Sequence, residues 1–275
     1  MLAGRGFNML PDGVKHLMII NGLFFLATIT LQNTFGIDLA QSLGLHYPGA
    51  SDFKFYQFAT HLFMHGSFMH IFSNMFALWM FGSVLENVWG TNRFLFFYFF
   101  TGFGAAFLHL GFSAIEINSL QNAAQVFIDN PTPEVFNAFF EKHPLRSPEM
   151  YKQANQILSA LNYKPGNEVV IDEAVVFVRS YIEMIKNIPT VGASGAVFGL
   201  LLAFGMLFPN TRLILLFPPI PIKAKYFVFF YGLFELYSGI QNEAGDNVAH
   251  WAHLGGMLFG FILIKHWNKT RKDFY

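Results

Sequence analysis

Apolar residues gather into six stretches along the 275-residue chain, at roughly 16–35, 68–88, 92–115, 190–208, 224–241 and 248–266. About 20 predominantly apolar residues are needed for a helix to cross the hydrocarbon layer. A crossing segment must also satisfy its own backbone groups, which favours helices. The pattern therefore predicts an all-α, polytopic membrane protein with six transmembrane helices. Pro209-Asn210 ends the fourth stretch, and Pro218-Pro219-Ile220-Pro221 fills the connection to the fifth, because proline disfavours helical continuation.

Residues 117–188 break this rhythm: Asp, Glu, Lys and Arg become frequent and no apolar run approaches bilayer length. Ser147-Pro148-Glu149 reads as a helix start with proline at the first helical position, and Lys164-Pro165-Gly166 reads as a turn. Ile157, Leu158 and Leu161 recur between them at helical spacing. Two to four amphipathic helices are expected here, on the extracytoplasmic side. They would be a packed insert, a folded cap, a set lying on the lipid surface, or a substrate-gripping module. The chain thus divides into a tail (1–15), spans one to three (16–116), the insert (117–188), spans four to six (189–267) and a second tail (268–275).

Only 12% of residues are charged, against about 25% in a typical soluble domain, which reinforces the membrane reading. A formal net charge of zero gives no global attraction for nucleic acid. The lack of cysteine excludes disulfides, thiolate metal sites and a cysteine nucleophile. Arg5, Lys15, Arg93, Arg212, Lys223, Lys225, Lys265, Lys269, Arg271 and Lys272 fall in alternate connections or tails, whereas Lys54 faces Glu243 and Asp246 on the other side. The positive-inside bias then puts both termini in the cytoplasm. The first apolar run lacks a clear small-residue cleavage site and is read as a retained span.

Polar groups inside such spans are expensive and tend to be functional. Ser194, in Thr190-Val-Gly-Ala-Ser194-Gly-Ala-Val-Phe-Gly199, lies near the start of span four, where unpaired N–H groups can stabilise a developing anion. His253 in span six is a base for its hydroxyl. Gly195 and Gly199, like Gly256 and Gly260, are four apart and form small faces that would let the two helices approach closely. Phe198, one turn after Ser194, is placed to stack on the imidazole. His250 is a rival base, about 60° around the helix from His253, but it precedes the glycine pattern. Glu243 and Asp246 lie in a loop, and Glu235 on span five either borders the cavity or reaches the headgroups. A Ser–His dyad is therefore expected rather than a triad.

On span two, His70 and Asn74 share a helical face and are donor types suited to an oxyanion. His65 and His61 precede them in structural, loop-bonding positions. His61 and His65 lack the glutamate of a His-Glu-x-x-His zinc site, so no metal is expected. Glu86, at the end of the span, reads as a helix-end or loop hydrogen-bonding group.

Together these residues resemble the rhomboid family of intramembrane serine proteases. The matching elements are His65-x4-His70-x3-Asn74, Glu86-x3-Gly90, Gly192-x-Ser194-Gly195 and Ala252-His253-x2-Gly256-x3-Gly260. The resemblance implies a rhomboid-like six-helix bundle, Ser194 as nucleophile, His253 as general base, and His70 and Asn74 in the oxyanion hole. It also implies a wet active site opening to the extracytoplasmic side, with the substrate helix entering past span five. No cofactor is implied. The partners would be the lipid bilayer and membrane proteins whose transmembrane segment is locally helix-weakened. The compact plan suggests a bacterial inner membrane. Two departures stand out: Tyr56-Gln57 replaces the Trp-Arg pair frequent in the family's first loop, and the insert is long. The alternative function is a catalytically inactive relative that binds or escorts membrane proteins. A transporter would instead be expected to trace its polar residues across several spans.

Overall fold

The computed structural model describes residues 7–214, 219–241 and 248–270. Arg5, Pro218, Glu243, Asp246, Arg271 and Lys272 lie outside the described residues. The helices are α1 (Asp12–Phe35), α2 (Leu39–Leu43), α3 (Gln57–Thr60), α4 (Phe68–Ala77), α5 (Ser83–Trp89), α6 (Thr91–Asp129), α7 (Pro133–Lys142), α8 (Pro148–Tyr163), α9 (Glu168–Lys186), α10 (Ser194–Leu207), α11 (Ala224–Gln241) and α12 (His250–Thr270). A π turn at Leu78–Gly82 joins α4 to α5, making one apolar helix from Phe68 to Trp89. Three helices are long and apolar enough to cross a membrane, namely Asp12–Phe35, Phe68–Trp89 and Thr91–Asp129, while Ser194–Leu207 is a shorter apolar helix.

Helix α10 is the axis of the larger core. It packs against α6 and α12 on their long faces and against α11 and the π turn elsewhere. Val197, Leu200, Leu201 and Phe204 of α10 meet Leu78 and Phe81, Phe94 and Tyr98, Val228, and Leu263 and Ile264 in one buried cluster. By contrast Leu23 and Leu26 of α1, and Phe229, Phe230, Phe234 and Tyr237 of α11, are exposed. Apolar surface on this scale is a surface for lipid rather than water.

The third apolar stretch does not end as a helix near residue 115. Helix α6 runs on to Asp129, because nothing after Ile115 breaks it until Asn130 and Pro131. Leu120, Ala124 and Phe127 on its extension begin a second buried cluster with Phe136 and Phe139 of α7, Ile157 and Leu161 of α8, and Phe177 and Val178 of α9. The three amphipathic helices are capped by their own sequence. Thr132, Ser147 and Asn167 each accept a first-turn N–H, and α7 and α8 carry proline in the first turn. Such side-chain acceptors satisfy groups that the helix itself leaves unpaired. The turn at Lys164-Pro165-Gly166 follows, with Gly166 at φ 79°.

Between α10 and α11 the chain forms an antiparallel pair, β1 (Arg212–Ile214) and β2 (Pro221–Lys223), that the proline-rich reading did not anticipate. Pro221 is tolerated because it opens the strand of a two-stranded ribbon, where a missing N–H costs little.

Candidate active site

Ser194 is the first residue of α10, so its backbone N–H belongs to the helix turn that has no intrahelical partner. The approach to it is fixed from two sides. Leu45 and Thr190 bridge through both backbone bonds, and Gly192 N–H donates to the His61 carbonyl at 2.9 Å. Gly192 has φ 126°, and a β-carbon there would lie 2.7 Å from His70 Nε2 and 3.7 Å from Ser194 Oγ. Only glycine suits that backbone and that space. The same point therefore lies within 4 Å of the imidazole edge of α4 and the hydroxyl of α10.

The small faces of α10 and α12 do meet. A β-carbon on Gly256 would overlap the Gly195 carbonyl, and one on Gly260 would lie 3.4 Å from the Gly199 carbonyl oxygen. On the other side of α10, Gly195 abuts Ala105, and Gly199 would press Thr101 of α6 at 2.6 Å. This contact brings the His253 ring flat onto Phe198, with centroids 4.0 Å apart and planes 8° from parallel. Ser194 and His253 thus occupy neighbouring turns of touching helices, without a hydrogen bond between them among the described residues.

Glu235, whose direction the sequence left open, faces inward and is 2% exposed. His253 Nδ1 lies 2.8 Å from its Oε2, and His250 Nδ1 lies 2.6 Å from the same oxygen. The expected two-residue arrangement had no acid; here a carboxylate meets the imidazole. No local signal could have found it, since Glu235 is an isolated acid in an aromatic helix. The atoms of Glu235, His250 and His253 all lie within 4.8 Å of one another and form a possible metal-ligand group. Ligand atoms on a tetrahedral zinc with bonds near 2.0–2.1 Å are about 3.3 Å apart. The 2.6 and 2.8 Å separations instead fit hydrogen bonds.

Of the span-two residues, His70 approaches the Gly192 turn just before Ser194. Ser67 caps α4 by accepting the His70 N–H. Gly66 N–H approaches His70 Nδ1 at 3.4 Å, a contact compatible with the ring proton on Nε2, the nitrogen facing Gly192. Asn74, one turn on, is buried, and its Nδ2 has no hydrogen-bond partner among the described residues. His65 is also buried, with its ring 5.0 Å from that of His70 in an edge contact. His61 is tied to its own turn through Nδ1 and the Gln57 carbonyl, 2.8 Å apart.

Two supports complete the frame. Gln57, fully buried, donates to the Ser42 and Asp52 carbonyls and accepts from the backbone N–H of His46 and Lys54. Tyr56 OH donates to the Ser42 carbonyl. This pair anchors the first loop where the family often uses Trp-Arg. Glu86 accepts from Gly13 N–H and Val14 N–H at the start of α1, each at 2.8 Å, and from Thr91 Oγ1 at the start of α6, at 2.7 Å.

A model of the Rhomboid domain matches residues 52–118 and 169–267. The chain belongs to the rhomboid family, and it is an integral, multi-pass membrane protein. Rhomboid-like protein 15 of Arabidopsis thaliana is 30% identical over 109 residues, which make up 39% of this chain. The match spans only 26% of that relative's length.

Proposed function

We propose that the chain is an intramembrane serine endopeptidase that cleaves transmembrane-segment substrates near the extracytoplasmic boundary. In this reading Ser194 Oγ attacks the scissile carbonyl carbon and passes its proton to His253. The tetrahedral oxyanion accepts hydrogen bonds from Asn74 Nδ2, His70 Nε2 and the Ser194 backbone N–H. Collapse expels the amine, which takes the proton from His253, and leaves an ester on Ser194. Water, deprotonated by the same imidazole, then hydrolyses that ester.

The observation that carries the reading is the Gly195–Gly256 contact, with the Phe198–His253 stack beside it. Together they support the reading by setting the helix that starts at Ser194 directly against the helix that carries His253. Asn74 Nδ2, a buried donor with no acceptor among the described residues, is of the type an oxyanion hole uses.

The topology follows from the same reading. Helices α10, α11 and α12 join the three long apolar helices to give six crossings, with both termini cytoplasmic. Helix α10 has 14 residues, about 21 Å against about 30 Å of hydrocarbon. A start sunk below the outer lipid face accounts for the shortfall and gives water a way to Ser194. Residues 117–188 are then an extracytoplasmic insert, a reading supported by their separate buried cluster and by the break at 119–168 between the two matched blocks. A helical substrate must unwind to present its carbonyl, so helix-weakened segments are the expected targets.

The test is labelling by a fluorophosphonate in lipid, together with mass-spectrometric mapping of cuts in candidate single-span substrates. Both signals should appear in wild type and vanish in Ser194→Ala. Wild-type turnover in that variant would remove Ser194 from its role. A folded protein that neither labels nor cleaves would instead be a binding or escort relative.

A further inference from the structure

The carboxylate on α11 goes beyond a serine–histidine pair. We infer that Glu235 is the positioning residue of the site, holding His253 in the tautomer that leaves Nε2 free to take the Ser194 proton. This rests on the reading of Ser194 and His253 as nucleophile and base.

The argument begins with burial. A carboxylate that is 2% exposed must be held by donors, because an uncompensated buried charge is strongly destabilising. Its donors here are two imidazole Nδ1–H groups on one oxygen, at 2.6 Å from His250 and 2.8 Å from His253. With Nδ1 committed to the carboxylate, Nε2 of His253 is the nitrogen that carries the lone pair. A neutral imidazole has one donor and one acceptor nitrogen, so the bond at one fixes the role of the other. Phe198 holds the plane of the same ring, and Glu235 holds its rotation within that plane.

The helices are shaped for this contact. Gly232 and Gly239 flank Glu235 on the face towards α12. A β-carbon on Gly239 would lie 3.3 Å from both the His250 β-carbon and the Trp251 ring, and one on Gly232 would lie 3.1 Å from the Met257 methyl. Small residues three before and four after the acid let α11 come close enough for a short side chain to reach two imidazoles. When His253 takes the serine proton, the adjacent carboxylate offsets the charge that forms on the ring, the part an acid plays in a serine triad. His250 shares the oxygen from three residues earlier on α12 and orients the carboxylate.

The experiment uses the full chain in proteoliposomes, with wild type, Glu235→Gln and Glu235→Asp compared in two assays. One is the second-order rate of Ser194 labelling by a small fluorophosphonate, which does not depend on entry of a substrate helix. The other is kcat and KM for a cleaved single-span substrate. Glu235→Gln should lower labelling rate and kcat together by at least about tenfold, with KM within about twofold, and Glu235→Asp should restore part of the loss; triad-acid replacements lose up to about 10⁴. Labelling and kcat at the wild-type rate in Glu235→Gln, or a change confined to KM or melting temperature, would reduce Glu235 to a tie between α11 and α12 and overturn the inference. If Glu235→Gln does not fold, the same criteria apply to Glu235→Asp, for which an undiminished labelling rate and kcat are the overturning result. A wild type that never labels would fail the underlying protease reading, a result distinct from any ranking of the variants.

Discussion

Gly256 of α12 lies so close to Gly195 of α10 that a β-carbon on it would overlap the Gly195 carbonyl. The obstacle is backbone, which cannot swing aside as a side chain would. The two helices on which Ser194 and His253 sit are therefore held at a separation that one methyl group would change.

Gly256→Ala should accordingly destabilise the protein by about 1–3 kcal/mol, the usual penalty for overpacking. It should also depress cleavage by more than tenfold by moving His253 away from Ser194. Gly22→Ala in α1 is the control: nothing lies within 4 Å of its β-carbon, so the alanine should be neutral or stabilising by up to about 1 kcal/mol. Melting temperatures in the same detergent, with rates on the same substrate, check both. Equal effects from the two alanines would mean that the contact does not constrain the site.

The small faces were legible in the sequence because a four-residue glycine spacing lines one side of a helix, though not which helix they meet, and Phe198 was legible because it follows Ser194 by one turn. Glu235 was not. A lone acid on an aromatic span carries no periodicity, and whether it turns inward depends on the rotation of α11, which only tertiary packing sets. The reach of α6 to Asp129 was hidden for a related reason: apolar content stops near the membrane boundary, but helix propensity does not. Gln57 was read only as a departure from the family's usual residue, although its amide has the two donors and one acceptor oxygen that the loop's four backbone bonds use.

Gln57→Leu should expose that role. The size is similar, but four backbone groups of the first loop, at Ser42, His46, Asp52 and Lys54, would lose their buried partner. Each unmade bond of this kind costs about 1–3 kcal/mol where water cannot replace it. The variant should melt several degrees lower and become sensitive to proteolysis in residues 42–54. An unchanged digestion pattern would count against the anchoring role.

Glu86→Ala removes the acceptor shared by Gly13, Val14 and Thr91. Bonds to a charged group are worth about 1.5–3 kcal/mol each, so the loss should be among the largest of any single substitution away from Ser194. The expected pattern is a steep fall in melting temperature and yield, with kcat per labelled Ser194 close to wild type in the fraction that folds. A fall in kcat with stability intact would place Glu86 in the chemistry instead.

Asn74→Ala should do the reverse. A buried Nδ2 without a partner among the described residues costs free energy, since a polar group has been taken from water with nothing to replace it. Removing the amide relieves that cost and sets it against a small cavity, so stability should hold or rise. On the proposed mechanism the same donor meets the oxyanion in the transition state, and loss of one such donor typically reduces kcat by about 10²–10³. The two effects separate function from folding at one residue: melting temperature equal to or above wild type, KM little changed, and kcat down by two orders of magnitude or more. Loss of stability without loss of kcat would make Asn74 a packing residue and leave the oxyanion to His70 and the Ser194 backbone.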